Sequence, residues 1–125
     1  MTVPVREAAA TDLPDVMNVL DGAALQADAP TVRDRIDADA VLVAVSPDRE
    51  RVLGALVRSG DHIDAVAVRR RRRGQGIGTA LVEAAAEGRD RLTATFDADL
   101  RQFYEGLGFE VRPAGEPERL RGVRE

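Results

Sequence analysis

Ala65-Val66-Ala67-Val68, then Arg69-Arg70-Arg71-Arg72-Arg73, then Gly74-Gln75-Gly76-Ile77-Gly78-Thr79 is the stretch that decides how this chain folds. An apolar run ends, a basic loop turns, and a glycine-rich segment opens a helix. The first turn of any helix presents four unpaired N–H groups and about half a positive charge. Glycines let an oxyanion approach those groups without a Cβ in the way, and arginines entering the same loop add charge-assisted donors. The chemistry implied is binding of a pyrophosphate or a similar polyanion.

Working outward, residues 40–45 and 52–57 are unbroken apolar runs separated by Ser46-Pro47-Asp48, a hairpin by length and turn chemistry. Ser59-Gly60-Asp61 makes the next turn, and residues 63–68 form the strand that enters the arginine loop. Near the start, Val3 and Val5 read as a short strand that Pro4 confines to an edge. Thr11 and Asp12 offer N-caps for a first helix whose apolar stripe is Leu13, Val16, Met17, Leu20 and Ala24. Residues 31–37 suit a short second helix. After the loop, residues 78–88 are helical, with Ile77, Ala80, Leu81 and Ala84 inward and Glu83 and Glu87 outward. Residues 92–96 form another strand. Leu100, Phe103, Tyr104 and Leu107 stand at i, i+3, i+4, i+7 on a last helix, closed by Gly108 as a left-handed cap. Residues 109–111 start a sixth strand, and residues 119–123 offer a final one. Antiparallel strands followed by a strand–helix–strand crossover predict an α/β fold: a mixed sheet with helices on both faces.

The chain has 125 residues, the size of one domain spanning 1–125, and 44% of them are hydrophobic. There is no cysteine, which excludes disulfides, thiolate metal sites and cysteine nucleophiles. One histidine, His62, excludes any site needing two imidazoles, and no metal is expected. All 18 basic residues are arginine, so a lysine-bearing phosphate loop and a Schiff-base lysine are excluded too. The net charge of −4 argues against generic nucleic-acid binding. Residues 40–45, the longest apolar run, fall far short of the ~20 that span a bilayer, and residues 1–7 carry no apolar signal segment. The expectation is a cytoplasmic chain with no membrane partner.

Three readings of the loop compete at the level of residues alone. The arginines are a solvated turn beside glycines that serve helix–sheet packing. Alternatively the glycines belong to a dinucleotide fold, although position 79 is Thr and five arginines separate strand from glycines. A third option is nucleic-acid binding, which the scarcity of stacking aromatics disfavours: the chain has three phenylalanines and one tyrosine.

Arg73, Gly76 and Gly78 resemble the acetyl-CoA signature of the GNAT acetyltransferases, in which Gln or Arg is followed at fixed spacing by Gly and then Gly or Ala. Val5-Arg6-Glu7-Ala8 with Thr11-Asp12-Leu13-Pro14 is similar to that family's opening strand and first helix. Phe103-Tyr104-Glu105-Gly106-Leu107-Gly108-Phe109 is similar to its second signature. The resemblance covers nearly the whole chain. It implies a mostly antiparallel central sheet with a splayed strand pair, and acetyl-CoA as cosubstrate lying in the resulting cleft.

On that resemblance, backbone groups of Val66 and Val68 pair with the pantetheine arm. The N–H groups of Gly74, Gly76, Ile77 and Gly78 hold the pyrophosphate with help from Arg73, while which of residues 69–73 reach the cofactor stays open. Tyr104 corresponds to the general acid for the departing thiolate, and its ordinary pKa of ~10 suits an aliphatic thiol; the alternative is that it only packs with Phe103 and Leu107. Asp97 stands where the family often has a cofactor-contacting asparagine. An ionised aspartate accepts but cannot donate, so Asp97, or Asp99, is equally suited to cap the last helix. For the base, Asp64, Asp61, Glu7 and His62 are all open, with an ordinary structural role favoured for each. The implied partner is a small-molecule or peptide amine, with a homodimer as a way of completing a short chain's cleft; the aspartates of residues 21–40 suit a cationic acceptor, but a solvated acidic face is the favoured reading of them. The other function consistent with the fold is a CoA-binding sensor or partner module without transfer.

Overall fold

The computed structural model describes residues 3–22, 28–48 and 51–125; Ala24, assigned above to the first helix's stripe, lies outside them. The strands are β1 (Val5–Glu7), β2 (Val41–Val45), β3 (Val52–Ser59), β4 (His62–Val68), β5 (Leu92–Asp97), β6 (Glu110–Pro113) and β7 (Arg119–Arg124). The helices are α1 (Leu13–Gly22), α2 (Ala29–Asp37), α3 (Ile77–Ala86) and α4 (Arg101–Gly106). One sheet runs β1-β2-β3-β4-β5-β7-β6, antiparallel except for the β4–β5 pair. The final strand is thus present, and it inserts between β5 and β6.

Each face of the sheet buries its own apolar cluster. Val16, Val19 and Leu20 of α1 with Val32 and Ile36 of α2 cover Val41, Val43, Ala55 and Val57. Ile77, Leu81, Val82 and Ala85 of α3 cover Leu56, Ile63, Leu92 and Phe96 on the other. Alternating side chains along β2 and β3 serve both faces, which is why these strands read as continuous apolar runs.

Several local expectations need correction. Neither Thr11 nor Asp12 is the N-cap: a 3₁₀ turn (Ala10–Asp12) precedes α1, and the Asp12 carboxylate accepts from the Ala9 N–H at 2.7 Å. Arg6 grips the same carboxylate with two hydrogen bonds, at 2.7 and 3.1 Å. The second helix starts earlier than residue 31, because Asp28 caps it through the Thr31 N–H at 3.4 Å. On α3, Val82 and Ala85 are buried while Ala80 and Ala84 are only half-buried, so the inward stripe is rotated from the one expected. The last helix is split. Residues Ala98–Leu100 form a 3₁₀ turn, which leaves Leu100 42% exposed rather than on the apolar stripe. Gly108 does adopt the left-handed conformation, with φ of +87°.

Candidate functional site

The cleft arises because β4 and β5 stay paired only briefly. Their parallel register covers His62↔Thr93 and Ile63↔Ala94, after which the strands part. His62 Nδ1 sits 2.7 Å from Thr93 Oγ1 at this junction, so the histidine ties the strands together where they still touch. Beyond it, residues 64–68 of β4 keep one neighbour, β3. The N–H of Arg69 bonds to Leu53 O at 2.9 Å. Backbone groups alternate in direction along an antiparallel strand, so Ala67 also turns toward β3 while Val66 and Val68 turn their N–H and C=O groups into the gap. A strand edge without a partner offers those groups to any extended amide-bearing chain.

The gap opens into a cleft of about 490 Å³. One wall holds Val66, Ala67 and Val68; the mouth holds Arg72, Arg73, Gly74, Gly76, Ile77, Gly78 and Thr79; the far wall holds Asp97, Asp99, Leu100, Phe103 and Tyr104. Every residue assigned above to the cofactor or to catalysis lines this one cleft. Ala67, Arg72, Thr79, Asp99, Leu100 and Phe103 line it as well, although the sequence had assigned no definite cofactor or catalytic role to any of them. Phe103 had an audible signal in the helical spacing, whereas Leu100 is placed there only by the break between the 3₁₀ turn and α4.

At the mouth, Gly76 precedes α3 with φ of +81°, a conformation that side chains resist, and no side chain caps the helix. Its opening N–H groups therefore face the cleft without a protein acceptor, the arrangement that binds oxyanions. The Arg73 Nε donates to Val68 O at 3.3 Å and so lies along the free edge of β4. Asp97 begins the 3₁₀ turn but does not cap it through its side chain; its carboxylate instead pairs with Arg119 at 2.8 Å. That pair joins the ends of β5 and β7 and replaces the capping role expected for Asp97.

Tyr104 is 3% exposed, and every other aromatic ring of the chain stands against it. Phe96 stacks at 4.0 Å between ring centroids, and Phe103 and Phe109 meet it edge-on at 5.0 and 5.2 Å. Gly122 of β7 leaves room for this box: a Cβ there would come within 3.1 Å of both Phe96 and Phe109. The Tyr104 hydroxyl has no hydrogen-bond partner among the described residues, although it lies in the cleft wall. Burial pushes its pKa up to about 12. The matching to a thiol expected from an ordinary phenol is therefore shifted: the proton is held more tightly, and the hydroxyl stays a donor across the whole neutral range.

The four open base candidates lie elsewhere. The β4 register skips between Val57↔Ala65 and Arg58↔Ile63, leaving Asp64 unpaired on a bulge. Its carboxylate accepts from Ser59 Oγ at 2.7 Å and faces Arg35 Nε at 3.5 Å. Asp61 pairs with Arg89 at 2.6 Å, and Glu7 is exposed on β1. None of them, nor His62, lines the cleft.

Comparison with known proteins agrees with this geometry. A family model described as acetyltransferase (GNAT) domain matches residues 36–111. Among solved structures, Rv2747 from Mycobacterium tuberculosis, crystallised with CoA, is 19% identical over 97% of this chain and 98% of its own, with a TM-score of 0.77. The PaiA N-acetyltransferase of Thermoplasma acidophilum, in complex with coenzyme A, is 14% identical over 100% and 99%, with a TM-score of 0.79. Ard1 from Thermoplasma volcanium is 17% identical over 98% and 96%, again with a TM-score of 0.79. At these identities the likeness is one of fold. No curated protein sequence matches the chain. Among the described residues, no helix is long and apolar enough to cross a membrane, and no cluster of His, Asp and Glu could hold a metal.

Proposed function

The chain belongs to the GNAT acetyltransferase family, and from that premise we propose that it transfers acetyl from acetyl-CoA to a primary amine by direct attack in a ternary complex. The observation that carries this is the cleft itself: an unpaired strand edge leads from an uncapped, glycine-lined helix start to the hydroxyl of a largely buried tyrosine, which has no hydrogen-bond partner among the described residues. A pantetheine chain suits the first, a pyrophosphate the second, and a leaving group in need of a proton the third.

Val66 and Val68 bind the pantetheine amides through their backbone as an added strand. The N–H groups of Gly74, Gly76, Ile77 and Gly78 receive the pyrophosphate, and Arg72 and Arg73 add positive charge at the mouth. Acetyl-CoA supplies the activated acyl group. The Val68 N–H stabilises charge developing on the carbonyl oxygen as the C–N bond forms and the C–S bond breaks. Tyr104 delivers a proton to the departing sulfur, and the proton that the attacking nitrogen sheds as the amide forms returns to the tyrosine through solvent. The attacking amine first gives up its own proton to solvent, since no carboxylate of the four candidates reaches the cleft. Asp97, locked to Arg119, supports the cleft wall beside the cofactor rather than donating to it.

A CoA-binding module without turnover is the second reading, favoured by the absence of a cleft-lining base among the candidates. Calorimetric CoA titration alongside acetyl transfer to a panel of diamines, amino acids and peptides separates the two. Turnover supports the enzyme, binding without turnover favours the module, and no binding at millimolar CoA refutes both.

A further inference from the structure

The arginine loop has a second side. A cavity of about 580 Å³ lies against α1, walled by Arg51 and the loop arginines 69–72, with Asn18 at its edge. Val19 and Leu53, both buried, supply its apolar lining. Only Arg72 is shared with the cleft described above.

Its charge is unbalanced. Outside the cavity, seven arginines, Arg6, Arg35, Arg89, Arg101, Arg112, Arg119 and Arg124, each face a carboxylate within 4.0 Å, while Arg33, Arg58, Arg73, Arg91 and Arg121 stand singly without one among the described residues. Among the described residues no carboxylate lines this cavity, and none of its five arginines forms an ion pair with another of them. That clustering is notable in a chain with 22 acidic residues against 18 basic ones. Guanidinium groups gathered without counter-charge repel one another, so the arrangement is costly until an anion neutralises it. The backbone that carries the loop arginines, and the Arg69 side chain, are also held in place. Arg69 donates its Nε to Val52 O at 2.6 Å, and the Arg72 N–H closes a turn onto Arg69 O at 2.8 Å. A fixed turn presents its guanidinium forks with less ordering cost on binding.

We infer that this cavity is a second anion site, separate from the cleft, that takes a small multivalent phosphate: the phosphate tail of a nucleotide or a free polyphosphate. The volume is that of a small-molecule site. A nucleic acid fits less well, because bases need stacking partners and all three phenylalanines are gathered around Tyr104, away from this cavity. Arginine forks on several sides favour several phosphate oxygens at once over a single carboxylate.

The test titrates tripolyphosphate, ATP and a single-stranded 20-nucleotide DNA into protein already saturated with CoA, at low ionic strength. One equivalent of tripolyphosphate is expected to bind with CoA still in place, weakening as salt is added. Arg51→Ala and Arg70→Ala, both exposed and outside the cleft, should each weaken it tenfold or more while CoA affinity stays within about twofold. That unchanged CoA affinity also certifies that the variants are folded. Equal affinity for ATP and tripolyphosphate assigns recognition to phosphate alone; tighter ATP adds the nucleoside. Competition between tripolyphosphate and CoA, no binding beside CoA, or unchanged tripolyphosphate affinity in both variants overturns the proposal. Affinity that climbs with DNA at matched phosphate concentration also overturns it, in favour of a nucleic-acid surface. If CoA itself fails to bind, titration of the free protein still reads this cavity, so the two conclusions stand or fall separately.

Discussion

Replacing Tyr104 with Phe removes one oxygen and almost nothing else, which makes it the sharpest perturbation of the site. The ring would keep its stacking on Phe96 at 4.0 Å and its edge contacts with Phe103 and Phe109. Because the hydroxyl has no protein partner among the described residues, no hydrogen bond is broken and no buried donor is orphaned. Stability should therefore change by less than about 1 kcal/mol, and CoA affinity by less than about twofold. Positioned proton donors contribute on the order of 10²–10⁴ in rate, so kcat should fall by at least ~10², equivalent to about 3 kcal/mol of barrier. The assay is steady-state acetyl transfer with CoA titration and thermal unfolding on the same preparations. Burial holds the phenol protonated, with its pKa raised to about 12. The wild-type rate should then show no alkaline loss attributable to this group until well above pH 10. The fold has the matching linkage: a raised folded pKa means stability is complete below the unfolded value of ~10 and is lost as pH climbs toward 12. Y104F should be spared that alkaline loss. A kcat within threefold of wild type, with CoA bound normally, would refute Tyr104 as the acid and leave it a packing residue.

Gly76→Ala should reduce CoA affinity tenfold or more in calorimetry, since φ of +81° strains any side chain and the new methyl stands where the oxyanion approaches. The accompanying stability loss should be about 1 kcal/mol by thermal unfolding. Gly122→Ala drives a Cβ to within 3.1 Å of Phe96 and Phe109. It should cost roughly 1–3 kcal/mol of stability and lower kcat more than it raises the KM for acetyl-CoA, by tilting the Tyr104 ring. Asp12→Ala removes a carboxylate that caps the Ala9 N–H and binds Arg6 twice, and should cost about 1–3 kcal/mol in urea unfolding. The Arg6 hydrogen bond holds Asp12 below the usual carboxylate range, against the opposing effect of burial. Its stabilisation is therefore complete above pH ~4 and is lost as pH falls through the lowered folded value, a loss the variant should not show.

The elements most legible in the sequence were those whose signal is local. Residues 52–57, 63–68 and 92–96 announced strands by composition, and the spacing of Leu13, Val16, Met17 and Leu20 announced α1. Capping was less legible. Asp12 reads equally well as a cap or as a third-position acceptor, and the choice depends on Arg6 arriving from the neighbouring strand. The same holds for Asp97, whose partner Arg119 is 22 residues away. The bulge at Asp64 comes from a register mismatch between two strands, which neither strand reveals alone.

The chain's own order of residues determined where a helix must start bare, at Gly76-Ile77-Gly78 after five arginines, because left-handed φ and open N–H groups are properties of single residues and their immediate neighbours. It also determined that the chemistry would rest on hydroxyl, carboxylate, guanidinium and backbone groups, since cysteine and lysine are absent. Tertiary structure alone decided that β4 and β5 separate after two residue pairs, that three phenylalanines would close around one tyrosine and raise its pKa, and that Arg51 would join the loop across a second cavity. These depend on which distant surfaces are brought together. Desolvation and repulsion are fixed by distance in space, and separation along the chain carries no measure of it.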